Sequence, residues 1–348
     1  MSPSGTFVQS CGAAIRELTS FDEAARREVI ASGLPAVVRG LAGDWPAVAA
    51  GRRSAAAVVE YLRRFDSGHP VDAIMTPPEI EGRIFYDADL SGFNFVRNRL
   101  ALSVVAEQAL RYSSFERAPA VAAQSALISE CLPGFAAQNR LGFLDDTIVP
   151  RIWLGTAITT PTHLDEWNNI GCVVSGRRRF TLFPPEQVAN LYVGPLDFAP
   201  TGAPMSLVRL HEPDFARFPR FRQAMAAALT AVLDPGDAIF IPPLWWHHVE
   251  SLARFNVLVN YWWSPAPGAP TLTDSGFDAL IHAILNLRGL PAPTRSAWRA
   301  LLDHFVFDEP EAAVGHIPPH RHGVLGKLDA QGLERWRAYL NGKLQKGR

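Results

Sequence analysis

Two short clusters hold residue types that bind metals. One is Thr162-His163-Leu164-Asp165-Glu166, and the other, about 80 residues later, is Trp245-Trp246-His247-His248. On an extended strand, positions i and i+2 point to the same side, so His163 and Asp165 share a face. A histidine from a later strand completes a set of two imidazoles and one carboxylate. Such a set binds non-haem Fe(II) on one side and leaves neighbouring coordination positions open. A chelating co-substrate fills two of them and O2 a third. A lone His-x-Asp is common, and a histidine beside tryptophan is usually a packed, hydrogen-bonded core residue. The combination and its order carry the weight. The His-x-Asp follows a strand pattern, and the histidine pair follows "GDAIFIPP" and precedes a run ending in "NYWW". Alternation alone does not choose between His247 and His248, because Pro242 and Pro243 disturb the local geometry.

A second feature is "GRRRFTLF" at 176–183. Arg178, Phe180 and Leu182 share one alternating face, and Arg177, Arg179 and Thr181 the other. A cation in phase with Phe180 and Leu182 is costly inside a barrel. A bidentate carboxylate ligand offsets that cost. The alternative is that Phe183 marks the inward face and all three arginines are solvated.

These residues need a scaffold. Residues 146–264 contain short β-branched and aromatic runs punctuated by Gly and Pro: "RIWLGTAITTPTHLD", "GCVVSGRRRFTLFPP", "GDAIFIPP" and "FNVLVNYWW". Strands without long helices between them predict a sandwich or jelly roll. Within this stretch, 214–233 with "AMAAALTAVL" predicts one helical insertion. Residues 14–145 are mixed, an α/β extension. Ser20 and Glu23 make a capping-box pattern opening a helix through Ile30. "LPAVVRGLAGDWPAV" predicts a strand and a turn, 54–65 and 101–112 predict helices, and "RIFYDADLSGFNF" predicts a strand and a loop. From 271 to 348, helical spacing recurs at Phe277, Leu280, Ile281, Ile284 and Leu287, at Trp298, Leu301, Leu302 and Phe305, and at Leu333, Trp336 and Leu340. The expected domains are therefore 1–270, with its jelly-roll core, and a helical region 271–348. That tail either closes one end of its own barrel or pairs with a second chain as a homodimer.

The composition is that of an ordinary globular protein, 48% hydrophobic and 19% charged. A net charge of -1 supplies no field for nucleic acid, which is not favoured as a partner. Cys11, Cys131 and Cys172 are odd in number and far apart, which argues against a disulfide framework or a zinc ribbon and fits a cytoplasmic protein. The start "MSPSG" lacks the pattern of a signal peptide. No apolar run is long enough for a bilayer, so no membrane partner is expected.

The elements "TPTHLDE", "GRRRFTLFPPEQ", "GDAIFIPPLWWHHVESL" and "VNYWW", in this order, resemble the cupin-like JmjC family of Fe(II)/2-oxoglutarate-dependent oxygenases, and within it the asparaginyl hydroxylases. "PAVVRGLAGDWPAV" is similar to the family's entry segment. The resemblance implies a double-stranded β-helix core, Fe(II), 2-oxoglutarate as co-substrate with O2, and frequent dimerisation through C-terminal helices. It implies that His163, Asp165 and His247 are the ligands, with His248 facing away or supporting its neighbour. It places Arg178 at the co-substrate's distal carboxylate, where the asparaginyl hydroxylases have lysine, a cation of different geometry. It suggests Thr160, Asn169 and Asn260 as further co-substrate contacts, and Tyr86, Glu166, Trp246 and Trp262 around the substrate. "WNN" after Glu166 replaces a glutamine-rich run that meets peptide in that group, which puts a peptide substrate in question. The implied activity is hydroxylation, or demethylation through hydroxylation, of a protein side chain or small molecule, with release of succinate and CO2. The rival reading is a metal-binding cupin of another kind, an isomerase or small-ligand binding protein.

Overall fold

The computed structural model describes residues 12–265 and 276–346. Cys11 and the N-terminal segment lie outside the described residues. The chain divides into two compact units, Met1–Thr273 and Asp274–Arg348.

The first unit begins with two short strands, β1 (Ala13–Ala14) and β2 (Arg16–Leu18). A helix follows over Glu23–Ser32, capped by the Asp22 carboxylate, which accepts from the Ala25 backbone N–H. Asp22 is thus the cap where Ser20 was expected; its carboxylate also sits favourably at the helix's positive end. Strand β3 (Ala36–Val38) is fully buried. Helices Pro46–Arg53, Ala55–Arg63 and Leu102–Tyr112 interleave with β4 (Pro70–Thr76), β5 (Val96–Ala101) and β6 (Ala120–Leu127). "RIFYDADLSGFNF" makes no full strand; it is a loop held by an isolated bridge between Tyr86 and Phe93.

Eight strands then form the core: β7 (Arg151–Gly155), β8 (Thr159–His163), β9 (Asn168–Ser175), β10 (Arg178–Phe183), β11 (Leu229–Leu233), β12 (Ala238–Ile241), β13 (Trp246–Ser251) and β14 (Asn256–Trp263). They lie in two sheets. One has the order β1-β11-β10-β13-β8, and the other β2-β3-β12-β9-β14-β7-β6-β4-β5. The core strands pair antiparallel throughout. This is the jelly-roll arrangement, with the larger sheet extended at both edges by the N-terminal segment.

The helix expected over "AMAAALTAVL" stops at Ala226, and Leu229–Leu233 instead forms β11 against β10. Thr230 and Val232 are β-branched, and a ladder partner outweighs the helical spacing of the alanines.

Side chains sort by face. Val173, Phe180, Leu182, Ile239, Ile241, Val249 and Leu258 meet in the barrel interior. Val48, Val58, Leu62, Leu102 and Val105 of the helices cover Ile152, Leu154, Cys172 and Val259 on the far side of the larger sheet. Close approach there requires Gly51, since a Cβ at that position would lie 2.1 Å from the Val174 carbonyl oxygen.

The second unit holds helices Gly276–Leu287, Ala292–Leu302, Pro310–Val314 and Ala330–Lys346. Among the described residues no helix is long and apolar enough to cross a membrane.

Candidate metal centre

His163 ends β8 and His247 stands in β13, directly opposite it in the antiparallel register. The pairing then slips, from His247–His163 to Val249–Thr160. The extra residue on β8 is a bulge of the kind that re-aims side chains. The two imidazole rings lie 4.1 Å apart, tilted by 53°. The His163 Nδ1 is 2.8 Å from the Pro161 carbonyl, and the His247 Nδ1 is 3.0 Å from the Trp245 carbonyl. A carbonyl only accepts, so each Nδ1 carries a proton, and Nε2 is the ring nitrogen left for a metal.

Asp165 lies just beyond β8. The Leu244 backbone N–H, in a left-handed turn at φ 64°, donates to the Asp165 carbonyl at 2.7 Å. The Asp165 Oδ2 is 3.5 Å from the His247 Nε2. One donor atom from each of His163, Asp165 and His247 falls within 4.8 Å of the others. Burial and the adjacent His247 push the His163 imidazole down to about 4, so it is neutral at physiological pH. Two imidazoles that present Nε2 to one point, plus one carboxylate, match the donor set of a divalent metal site with open positions.

His248, the next residue, points to the opposite face of β13. It contacts the Thr162 hydroxyl at 3.5 Å and lies with His211 and Arg83 in a separate hollow. Strand alternation, unresolved in the sequence by the two prolines, thus puts His247 rather than His248 on the interior.

A cavity of about 190 Å³ opens over the triad. Arg178 lines it together with Phe180, on the interior face. Its guanidinium is buried, its Nε has no hydrogen-bond partner, and no carboxylate among the described residues pairs with it. Burial alone lowers its pKa to about 10. Its neighbours differ: Arg179 pairs with Glu250 and Arg177 with Asp234. Leu182, four residues along β10, is the register partner of His247. Arg178 therefore sits about 13 Å along the strand from the metal end of the cavity.

Thr160, Asn169, Asn260 and Trp262 also line this cavity. Three other expected site residues do not. Trp246 packs with Phe183 and Phe221 on the outside of its sheet, because His247 takes the inward phase and its neighbour must take the other. Tyr86 donates its hydroxyl to the Phe198 carbonyl and packs against Phe93 and Phe198, away from the triad. Glu166 is half-buried and outside the cavity lining.

Sequence reading missed the opposite wall. Asp72, Ile74, Phe95, Arg97, Gln124 and Ser125 come from β4, β5, the loop before it and β6. Ser125 has φ 48° at an irregularity in the β6–β7 pairing, a strained non-glycine position aimed at the cavity. Nothing local in "AVAAQSAL" signals it. Trp153, also missed, has period-2 phase opposite to Ile152 and Leu154, which was legible had that phase been followed.

Residues 194–205 form a loop closed at its base by the Gly194 N–H on the Met205 carbonyl, 2.8 Å. Pro200 and Thr201 of this loop line the cavity mouth. Arg97 donates to the Pro200 carbonyl and pairs with Asp72. Phe198 stacks on Phe93, 4.7 Å between centroids, and Phe93 on Phe95.

Comparison with known proteins adds the following. Residues 22–269 match the family described as "Cupin-like domain". Human HSPB1-associated protein 1 is 39% identical over 113 residues, 32% of this chain and 22% of that protein. Lysine-specific demethylase 8 of Xenopus tropicalis is 27% identical over 237 residues, 66% of this chain and 48% of the relative. tRNA wybutosine-synthesizing protein 5 of Danio rerio is 34% identical over 106 residues, 30% of this chain and 29% of the relative. The chain thus matches less than half of the length of each of these proteins.

Proposed function

The chain belongs to the cupin-like domain family, and from that premise we propose that it is an Fe(II)- and 2-oxoglutarate-dependent oxygenase. In this reading His163, Asp165 and His247 hold the metal, and Arg178 holds the distal carboxylate of 2-oxoglutarate. Thr160, Asn169 and Asn260 supply polar contacts along the same wall.

One observation carries the reading: a buried guanidinium without a counter-charge shares a cavity with a three-residue metal-donor cluster. A solitary buried cation costs several kcal/mol. A dicarboxylate that chelates at one end and meets Arg178 at the other offsets that cost. In a metal-binding cupin of another kind Arg178 would be structural or would bind an unrelated acid.

When bound, ferrous ion and 2-oxoglutarate supply oxidation by O2, one oxygen atom entering the substrate C–H as hydroxyl and the other the succinate formed with loss of CO2. The residues of the chain do the rest. The two Nδ1–H bonds to carbonyls fix the imidazole planes. Trp262, Phe180 and Val249 give the cavity an apolar wall that would limit water beside the metal. Phe95, Gln124, Ser125 and Thr201 face the substrate from the mouth. The same hydroxylation on an N-methyl carbon ends in demethylation.

The cavity is small, and the 194–205 loop lies at its mouth. That geometry suits a small molecule or one protein side chain entering end-on, and disfavours a peptide laid across the metal. The printed names of the relatives span lysine demethylation and tRNA modification, so family membership alone does not choose the substrate.

The test is succinate formation from 2-oxoglutarate with Fe(II), ascorbate and air, without added substrate. Wild-type protein is expected to turn over slowly, and Asp165→Ala and Arg178→Met not at all. Equal silence of all three, with no 2-oxoglutarate binding to the Fe(II) protein, contradicts the oxygenase reading and favours a cupin of another activity.

A further inference from the structure

Three neighbouring strands carry a chain of hydrogen bonds that ends on Asp165. The Trp153 Nε1–H on β7 donates to the Asn260 Oδ1 on β14 at 2.9 Å. The Asn260 Nδ2 donates to the Asn169 Oδ1 on β9 at 3.1 Å. The Asn169 Nδ2 donates to the Asp165 Oδ2 at 3.4 Å. The register explains the route. Trp153 pairs with Leu258 and Asn260 with Gly171, so each contact joins a residue to the diagonal neighbour two positions on. Both asparagines are almost fully buried.

The two ends, a donor-only indole and an acceptor-only carboxylate, agree on the direction of the amides between them. An amide can present either its oxygen or its nitrogen, but an indole only donates. Asn260 must therefore turn its oxygen to Trp153 and its nitrogen to Asn169. Asn169 in turn must show its oxygen to Asn260 and its nitrogen to Asp165. With the indole donor removed, the acceptor-only Asp165 carboxylate alone still holds the two amides in this orientation. The reversed state sets the Asn169 carbonyl against the Asp165 carboxylate, two acceptors face to face.

We propose that Trp153 is a positioning residue for the metal-binding carboxylate: its indole N–H anchors the far end of a relay that holds an N–H donor on Asp165. The inference rests on the reading of Asp165 as a metal ligand. Each amide keeps a second N–H, so the relay coexists with their expected contacts to the co-substrate. Partners that orient a ligand typically change metal affinity ten- to a hundredfold when lost.

The test is Co(II) titration of the full chain, followed by the visible absorbance of the bound ion, with no turnover involved. Trp153→Phe keeps an aromatic ring and loses the donor; its Co(II) Kd is expected to rise about tenfold with an altered band shape. Asn260→Asp sets an acceptor against the Asn169 carbonyl oxygen and competes with Asp165 for the Asn169 amide donors; its Kd is expected to rise about a hundredfold. Site-specific 3-benzothienylalanine at 153, which replaces the N–H with sulfur in an unchanged ring, reproduces the Trp153→Phe result and serves where that variant fails to fold. A benzothienyl protein that binds Co(II) with wild-type affinity and spectrum overturns the relay while leaving the metal site standing. A wild-type protein that takes up no Co(II) overturns the metal site itself, and the relay with it.

Discussion

His163 and His247 face each other across adjacent antiparallel strands, and each anchors its Nδ1 to the carbonyl two residues upstream, Pro161 in one case and Trp245 in the other. The same local device on two strands leaves two Nε2 atoms on one side, where Asp165 supplies the third donor. Symmetry of this kind fixes both rings before any metal arrives.

Pre-formed donors bind metal without refolding, so metal stabilises the fold by simple mass action. At a hundredfold excess over Kd the wild-type protein gains about 2.7 kcal/mol. Thermal unfolding with and without Fe(II) or Co(II) is expected to show that gain, and Asp165→Ala is expected to show none.

Arg178 makes an opposite prediction for stability and for binding. Its pKa, lowered by burial to about 10, means that folding disfavours its charged form. At pH 7 it is charged in both states, so the cost is fully in force, of the order of 3 kcal/mol. As pH rises above about 10 the unfolded chain holds the proton longer than the folded one, and this group's cost falls away. Arg178→Met, of similar reach and without charge, is expected to unfold at equal or higher denaturant concentration than wild type in the absence of ligand. The same variant is expected to lose 2-oxoglutarate-dependent stabilisation. Urea titrations with and without the diacid measure both.

Arg97 joins the extension to the loop at the cavity mouth through Asp72 and the Pro200 carbonyl. Arg97→Ala removes that tie, with a loss of roughly 1 kcal/mol from a half-exposed, charge-assisted bond. Faster limited proteolysis within 194–205, at unchanged Co(II) affinity, is the expected outcome.

Gly51 stands inside a helix, where Ala is the better former by about 1 kcal/mol. The Val174 carbonyl leaves no room for the added methyl. Gly51→Ala is expected to destabilise by about 2 kcal/mol or more, read as a lower urea midpoint, because the helix must shift off β9.

Much of the core was legible from residues alone. Period-2 phase placed Arg178 with Phe180 and Leu182 on one face, and the structure lines the cavity with both Arg178 and Phe180. The same rule, once His247 is inward, sends Trp246 outward, whereas the expectation for Trp246 followed resemblance. Tyr86 lies outside the cavity lining as well, with its hydroxyl on the Phe198 carbonyl 112 positions away. The far wall of the cavity was invisible because it is built from cross-strand neighbours in β4, β5 and β6 and from a strained serine. Such contacts depend on register, which no local pattern in "VDAIMT" or "AVAAQSAL" sets. The Trp153 relay was hidden likewise, as its four members come from three separate segments, at 153, 165–169 and 260.

The most direct measurement is an anaerobic calorimetric titration of 2-oxoglutarate into the Fe(II)-loaded protein. One diacid per chain is expected to bind to wild type, with binding lost when either Asp165 is changed to Ala or Arg178 to Met. A wild-type protein that holds Fe(II) yet shows no uptake of the diacid, or an Arg178→Met variant that takes it up unchanged, contradicts the account.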